Sequence, residues 1–390
     1  MPFRPRAWVV AGALSVVAVA WVWSRADPDR VFTRAQADAR AGRFNHASAG
    51  LERLARLRPP TPADRLLRAQ VAGARDRVDV ALDELRSIPD DHPLGPLARL
   101  AEGQFEARRG RLPAAEAAFL KTLARQPDCA QARRELVYIY SVQRRLDRLD
   151  GQLAALAELG ALDREHLIHW GRVRHINWSP AADLPGLERY VAADPDDRPS
   201  RLSLAEAQVR VGRLAEAEST LAPLPAADLD ARVVRVRLAE ARDDPEAAAA
   251  LLNGDPDDHP GLAYLRGQHA LSRRDGPAAV RHFRASYARQ PHDRATLHGL
   301  ARALVLTGDD DSARPLMDEV RLFDRAGVLI AEADAGKGRD DPALARRLGL
   351  AIAALERPAE ARAWLRRAIA ADPLDAEAQR ALHRLGPHSP

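Results

Sequence analysis

Between Pro96 and Asp128 the apolar positions recur with the 3.6-residue period of two amphipathic helices separated by a stop signal. Leu97, Leu100 and Gly103 share one face of the first helix, and Gly110 ends it. Ala115, Ala118, Phe119 and Leu123 share one face of the second, which Pro127 closes. Gly103 and Ala115 mark the closest approach of the pair, where a bulkier side chain would cost about 1–3 kcal/mol. Phe119 fills the space that the small residues leave.

A step of 34 residues finds the hairpin again. Ala35, Ala69, Gly103 and Val137 occupy the close-approach column, and Gly42, Asp76 and Gly110 the turn. Ala47, Ala81 and Ala115 hold the small position of the second helix, Leu51, Leu85, Phe119 and Leu153 the large one, and Pro59, Pro93, Pro127 and Pro195 the stop. This succession resembles the tetratricopeptide repeat over nearly all of the chain after the first 27 residues. The resemblance implies an all-α fold, a right-handed solenoid of antiparallel helix pairs in which each repeat touches only its neighbours.

The register divides the chain. Repeats run over 28–197, degenerate over 198–259, where Pro223 and Pro225 cut a helix short, and return over 260–327. Residues 328–341, with Gly336-Lys337-Gly338, read as an inserted loop; 342–390 hold a last repeat and a capping helix from Ala376 to Leu385. The fifth repeat carries Trp170-Gly171 in its opening column, but Trp178 and Pro180 disturb its turn.

Before the repeats, a short basic arm (1–6) precedes Ala7 to Trp23, an uncharged apolar run long enough to span a hydrocarbon core of ~30 Å as a helix. Trp8, Trp21 and Trp23 fall where the two interfaces would be. The run reads as a transmembrane anchor, because Trp21-Val22-Trp23 prolongs it past the small-x-small sequence Ala18-Val19-Ala20; cleavage there as a secretory signal is the alternative. With the positive arm inside, the repeats lie on the extracytoplasmic, periplasmic side, or are secreted if the segment is removed.

Composition narrows the function. Lys and Arg total 59 against 55 Asp and Glu, a net charge of +4, and all the basic residues but Lys121 and Lys337 are arginine, interleaved with acids along helix faces. Such a balanced surface points away from nucleic acid. Aromatics are only 5%, so Ala and Leu carry the packing and no sheet is expected. Cys129 stands alone, which excludes an intramolecular disulfide framework.

Candidate chemistry is sparse. His166, His169 and His175 lie close together, and the first two, at i and i+3, share a helix face; no Glu stands in an HExxH arrangement and no Cys joins them. Asp-rich pieces such as Asp194 to Asp197, Asp255 to Asp258 and Asp309 to Asp311 fall at repeat turns, where Asp caps helices. No catalytic residue, metal site or cofactor is expected, and an enzyme is not.

The family resemblance implies a groove lined by outward positions of each first helix. The column one residue after the close approach reads Gln36, Gln70, Gln104, Tyr138, Arg172, Glu206, Gln268 and Arg302. Glutamine recurring at this period offers a ladder of amides to an extended peptide; inherited repeat sequence without a ligand is the alternative. The basic clamp that some family members use for a C-terminal carboxylate is not reproduced. The expected function is a membrane-anchored scaffold or assembly factor with a protein or peptide partner, against a self-associating envelope structural protein and, less favoured, a metal-dependent enzyme.

Overall fold

The computed structural model describes residues 27–175, 180–254, 259–336 and 341–386. The apolar run 7–23 and the acidic stretch 255–258 lie outside the described residues. Among these residues there are twenty-one α-helices, one short 3-10 turn and no strand. No described helix is long and apolar enough to cross a membrane. The chain forms two compact units, 1–132 and 133–390.

In the N-terminal unit six helices make three hairpins: α1 (Pro28–Arg40) with α2 (Phe44–Leu57), α3 (Pro62–Ala74) with α4 (Val78–Arg86), and α5 (Gly95–Arg108) with α6 (Leu112–Arg125). Small residues let the helices approach, as the spacing predicts: a Cβ on Gly103 would stand 2.5 Å from the Phe119 ring. Ala35, Ala47, Leu51, Leu54, Leu67 and Val71 form one buried cluster. A second joins Ala69, Ala81, Leu82, Leu85, Ile88 and Phe105.

The turn column carries left-handed backbone in both units: Gly42, Asp76 and Gly110, then Arg144, Gly212, Asp243, Arg274, Gly308 and Glu356. Its spacing exposes what the degenerate region is. From Gly212 to Asp243, and from Asp243 to Arg274, is 31 residues, so each of these repeats is one short helical turn under length.

The C-terminal unit begins within α7 (Ala130–Val142) and continues through α8 (Leu146–Glu158), α9 (Arg164–His175), the 3-10 turn Pro180–Ala182 and α10 (Leu184–Ala193). The hairpin α11 (Arg198–Arg210) and α12 (Leu214–Leu221) is followed by α13 (Leu229–Ala241) with α14 (Pro245–Leu252) and α15 (Pro260–Ser272) with α16 (Gly276–Arg289). Then come α17 (Arg294–Leu306) with α18 (Asp310–Asp334), α19 (Pro342–Ala353) with α20 (Pro358–Ala371), and α21 (Ala376–Arg384) as the capping helix. Asp side chains cap α11, α13, α14, α16, α17, α18, α19 and α21 at their N-termini, which accounts for the acidic turns.

Two expectations are corrected. Residues 328–334 are not loop but the end of the 25-residue α18, because Phe323, Ala326, Leu329, Ile330 and Ala333 continue its buried stripe. Nor does each repeat of this unit touch only its neighbours: α9 packs on α18, and α8 and α9 also contact α20. Gly171, which the register puts in the opening column of repeat five, therefore faces α18, and a Cβ there would stand 2.2 Å from Ile330 Cδ1.

Buried charge ties this closure. Asp150 on α8 accepts from Trp170 Nε1 at 2.7 Å and pairs with Arg174. Burial, with the nearby Arg357 guanidinium, brings Arg174 down to about 10. Arg357 also stands 2.9 Å from the fully buried Glu360, whose carboxyl burial pushes above its ordinary value. Arg362 Nη2 donates to Glu158 Oε1 at 3.1 Å, and Arg366 Nη1 to the Ala157 carbonyl at 3.2 Å.

Candidate binding surface

The predicted column lies one residue past the close approach, so its side chains leave the hairpin core. In the N-terminal unit Ala35, Ala69 and Gly103 are buried, whereas Gln70 is exposed and Gln36 and Gln104 are half-buried. All three glutamines sit on first helices, α1, α3 and α5.

In the C-terminal unit the column is not a simple ladder. Tyr138 on α7 is half exposed and its hydroxyl meets that of Tyr190 on α10; burial and this contact push its phenol up to about 12. Arg172 follows α9 out of register and faces Asp334 at 3.6 Å. Where a fifth first helix was expected to continue from α7, α10 and α11 stand instead: Gln143 Nε2 donates to Asp197 at 3.2 Å and to Ser200 Oγ at 3.1 Å. The column resumes at Glu206 on α11. Gln268 on α15 donates to Tyr264 at 2.9 Å, and Arg302 on α17 is exposed.

The structure adds one member that the sequence reading passed over. Arg237 on α13 sends Nη1 to Glu206 Oε1 at 2.5 Å, and Arg210 reaches the same oxygen at 3.2 Å. Arg237 stands 31 residues after Glu206 and 31 before Gln268, so a strict 34-residue step misses it. The left-handed turns at Asp243 and Arg274, spaced alike, would have been the signal.

The tetratricopeptide repeat model matches residues 66–128, 100–161, 264–327 and 328–376, and a second model of the same repeat matches 184–237. The chain belongs to the tetratricopeptide repeat family. Similar solved structures include the Cut9–Hcn1 hetero-tetramer of APC/C, at 14% identity over 92% of this chain and 76% of that one with a TM-score of 0.34. The human IFIT1 dimer with PPP-AAAA matches at 15% identity over 90% and 84%, TM-score 0.38. The tetratricopeptide repeat domain of P58(IPK) matches at 14% identity over 92% and 97%, TM-score 0.27. No curated protein matches the sequence.

Two concave sites lie outside the column of this tetratricopeptide repeat protein. A cleft of about 290 Å³ in the C-terminal unit is lined by Arg164, Asp341, Trp364 and Arg367 among others. One of about 160 Å³ in the N-terminal unit is lined by Glu52, Arg68, Arg75, Arg77 and Glu84 among others. The histidines do not converge: His166 Nδ1 lies 2.7 Å from Asp163, while His169 Nε2 meets Ser141 Oγ at 2.6 Å and burial lowers its basicity. Among the described residues no three His, Cys, Asp or Glu side chains are placed to hold a metal.

Proposed function

We propose that this protein is a scaffold or assembly factor that holds a protein or peptide partner against its first-helix faces and is tethered to a membrane by residues 7–23. The observation that carries the reading is the contrast within each first helix of the N-terminal unit. Ala35, Ala69 and Gly103 are buried in hairpin cores, while the next residue in each case is a glutamine that keeps its amide at least partly in solvent. Such amides exchange hydrogen bonds with an extended main chain at about 0.5–1.5 kcal/mol each. The Trp-flanked apolar run supports the tether and, with its basic arm retained inside, an extracytoplasmic position for the repeats. No catalytic role is assigned to any residue.

Crosslinking in host membranes followed by purification tests the proposal. Recovery of a defined second protein, held about tenfold or more weakly by a Q36A/Q70A/Q104A variant of unchanged melting temperature, supports it. Recovery of this chain alone, crosslinked to itself, favours a self-associating envelope protein instead.

A further inference from the structure

Arginines converge on one face of the C-terminal unit. Arg210 and Arg237 share a single oxygen of Glu206, at 3.2 and 2.5 Å, and keep roughly half and a third of their side chains in solvent. Arg144 stands at the turn between α7 and α8 with φ of 52°, a left-handed conformation that projects it onto the same face. Burial lowers its basicity, and Arg210 and Arg237 add to that against the opposing pull of Glu206 and Asp183. The patch extends to Arg189, exposed on α10, whose guanidinium stacks 5.0 Å from the Tyr190 ring and donates to the Tyr190 hydroxyl at 3.1 Å. Tyr190 in turn meets Tyr138, and Asp183 and Arg189 both act on the Tyr138 phenol. Glu240 closes the far edge beside Arg237 and His269, its carboxyl raised by burial.

Four guanidiniums thus share one continuous surface with half-exposed Tyr138, although the whole chain carries a net charge of only +4. Two of them compete for one carboxylate oxygen, an arrangement in which a further carboxylate relieves repulsion between like charges. We propose that this face of the C-terminal unit binds an internal, extended acidic segment of a partner protein, its Asp or Glu carboxylates pairing with Arg144, Arg189, Arg210 and Arg237 and an apolar side chain lying on Tyr138. The inference rests on reading the first-helix face as a binding groove. It names the partner's chemistry, and it places the contact on side-chain carboxylates within a strand of polypeptide instead of on a chain terminus.

The test uses the full chain and fluorescence anisotropy of a labelled peptide of about ten glutamates, amidated at its C-terminus so that no terminal carboxylate contributes and long enough to span about 33 Å. A lysine peptide of equal length and a thymidine oligonucleotide serve as comparison probes. The glutamate peptide is expected to bind, to weaken as salt rises from about 50 to about 300 mM, and to lose about tenfold or more in affinity in R210A/R237A. R210K/R237K, with its helix content checked by circular dichroism, is expected to retain most of the binding, which separates loss of charge from loss of fold. No binding to the wild type, equal binding to R210A/R237A, or an oligonucleotide bound as tightly as the peptide overturns the inference. If the partner recovered by membrane crosslinking is held equally by R210A/R237A, the scaffold reading stands and the acidic-segment inference alone falls.

Discussion

Arg362 on α20 reaches Glu158 on α8 at 3.1 Å although 204 residues separate them. The Arg362 side chain is 5% exposed and that of Glu158 25%, so the pair sits largely out of water. Removing one partner of such a pair leaves a buried charge poorly compensated, and Glu158→Ala is expected to cost about 3 kcal/mol. Hydrogen exchange should show protection falling together in 146–175 and 358–371. A loss confined to α8 and its sequence neighbours would mean that the closure contributes little.

Left-handed backbone at Arg274 is unfavourable for an L-residue by about 1–2 kcal/mol, and its side chain is exposed. Arg274→Gly relieves that strain while making the unfolded chain more flexible. A net gain of about 0.5–1 kcal/mol is expected in denaturant titration. A midpoint that falls would show that the arginine side chain contributes more than its backbone costs.

Two glycine-to-alanine changes should have opposite signs. A Cβ on Gly299 would stand 2.5 Å from the ring of the fully buried Phe283, so Gly299→Ala is expected to cost about 1–3 kcal/mol. Gly151 lies within α8 with nothing within 4 Å of its added methyl, and Gly151→Ala should stabilise by about 0.5–1 kcal/mol. Melting temperatures of the two variants, compared with the wild type, check both signs in one experiment.

Asp230 is held down to about 2 by its hydrogen bond with His259, at 2.9 Å, and by Arg198. A carboxyl depressed in the folded state contributes stability that is present above its ordinary value near 4 and is lost as pH falls through the folded one. Asp230→Asn should therefore lower stability at neutral pH and flatten the acid limb between about 4 and 2. An acid limb of unchanged slope would assign that loss to other carboxylates.

Much of this architecture was legible because its markers are local. A turn glycine, a small residue where helices meet and a large one that fills the gap constrain one hairpin each, and Gly103 and Phe119 meet as their spacing predicts. What failed to show was non-local. Gly171 carries the mark of a close approach, but nothing in its neighbourhood says that Ile330, beyond four further hairpins, is what approaches. The same holds at the candidate surface. Gln36, Gln70 and Gln104 fell out of a fixed step, while Arg237 required the shorter period that its own turn reveals. Charge convergence at Glu206 was invisible because Arg210 and Arg237 come from different helices in an arginine-rich chain.

The contact of α9 with α18 also limits how this sequence can change over generations. An open array of repeats tolerates duplication or loss of a hairpin, since only one junction is disturbed. Between Gly171 and Ile330 that freedom is gone. An extra hairpin inserted there would carry Ile330 past the groove that Gly171 opens for it, and would separate Arg357 from Asp150 and Arg362 from Glu158. Copy number within the C-terminal unit is thereby frozen, and divergence is left to the turns and to the solvent-facing columns.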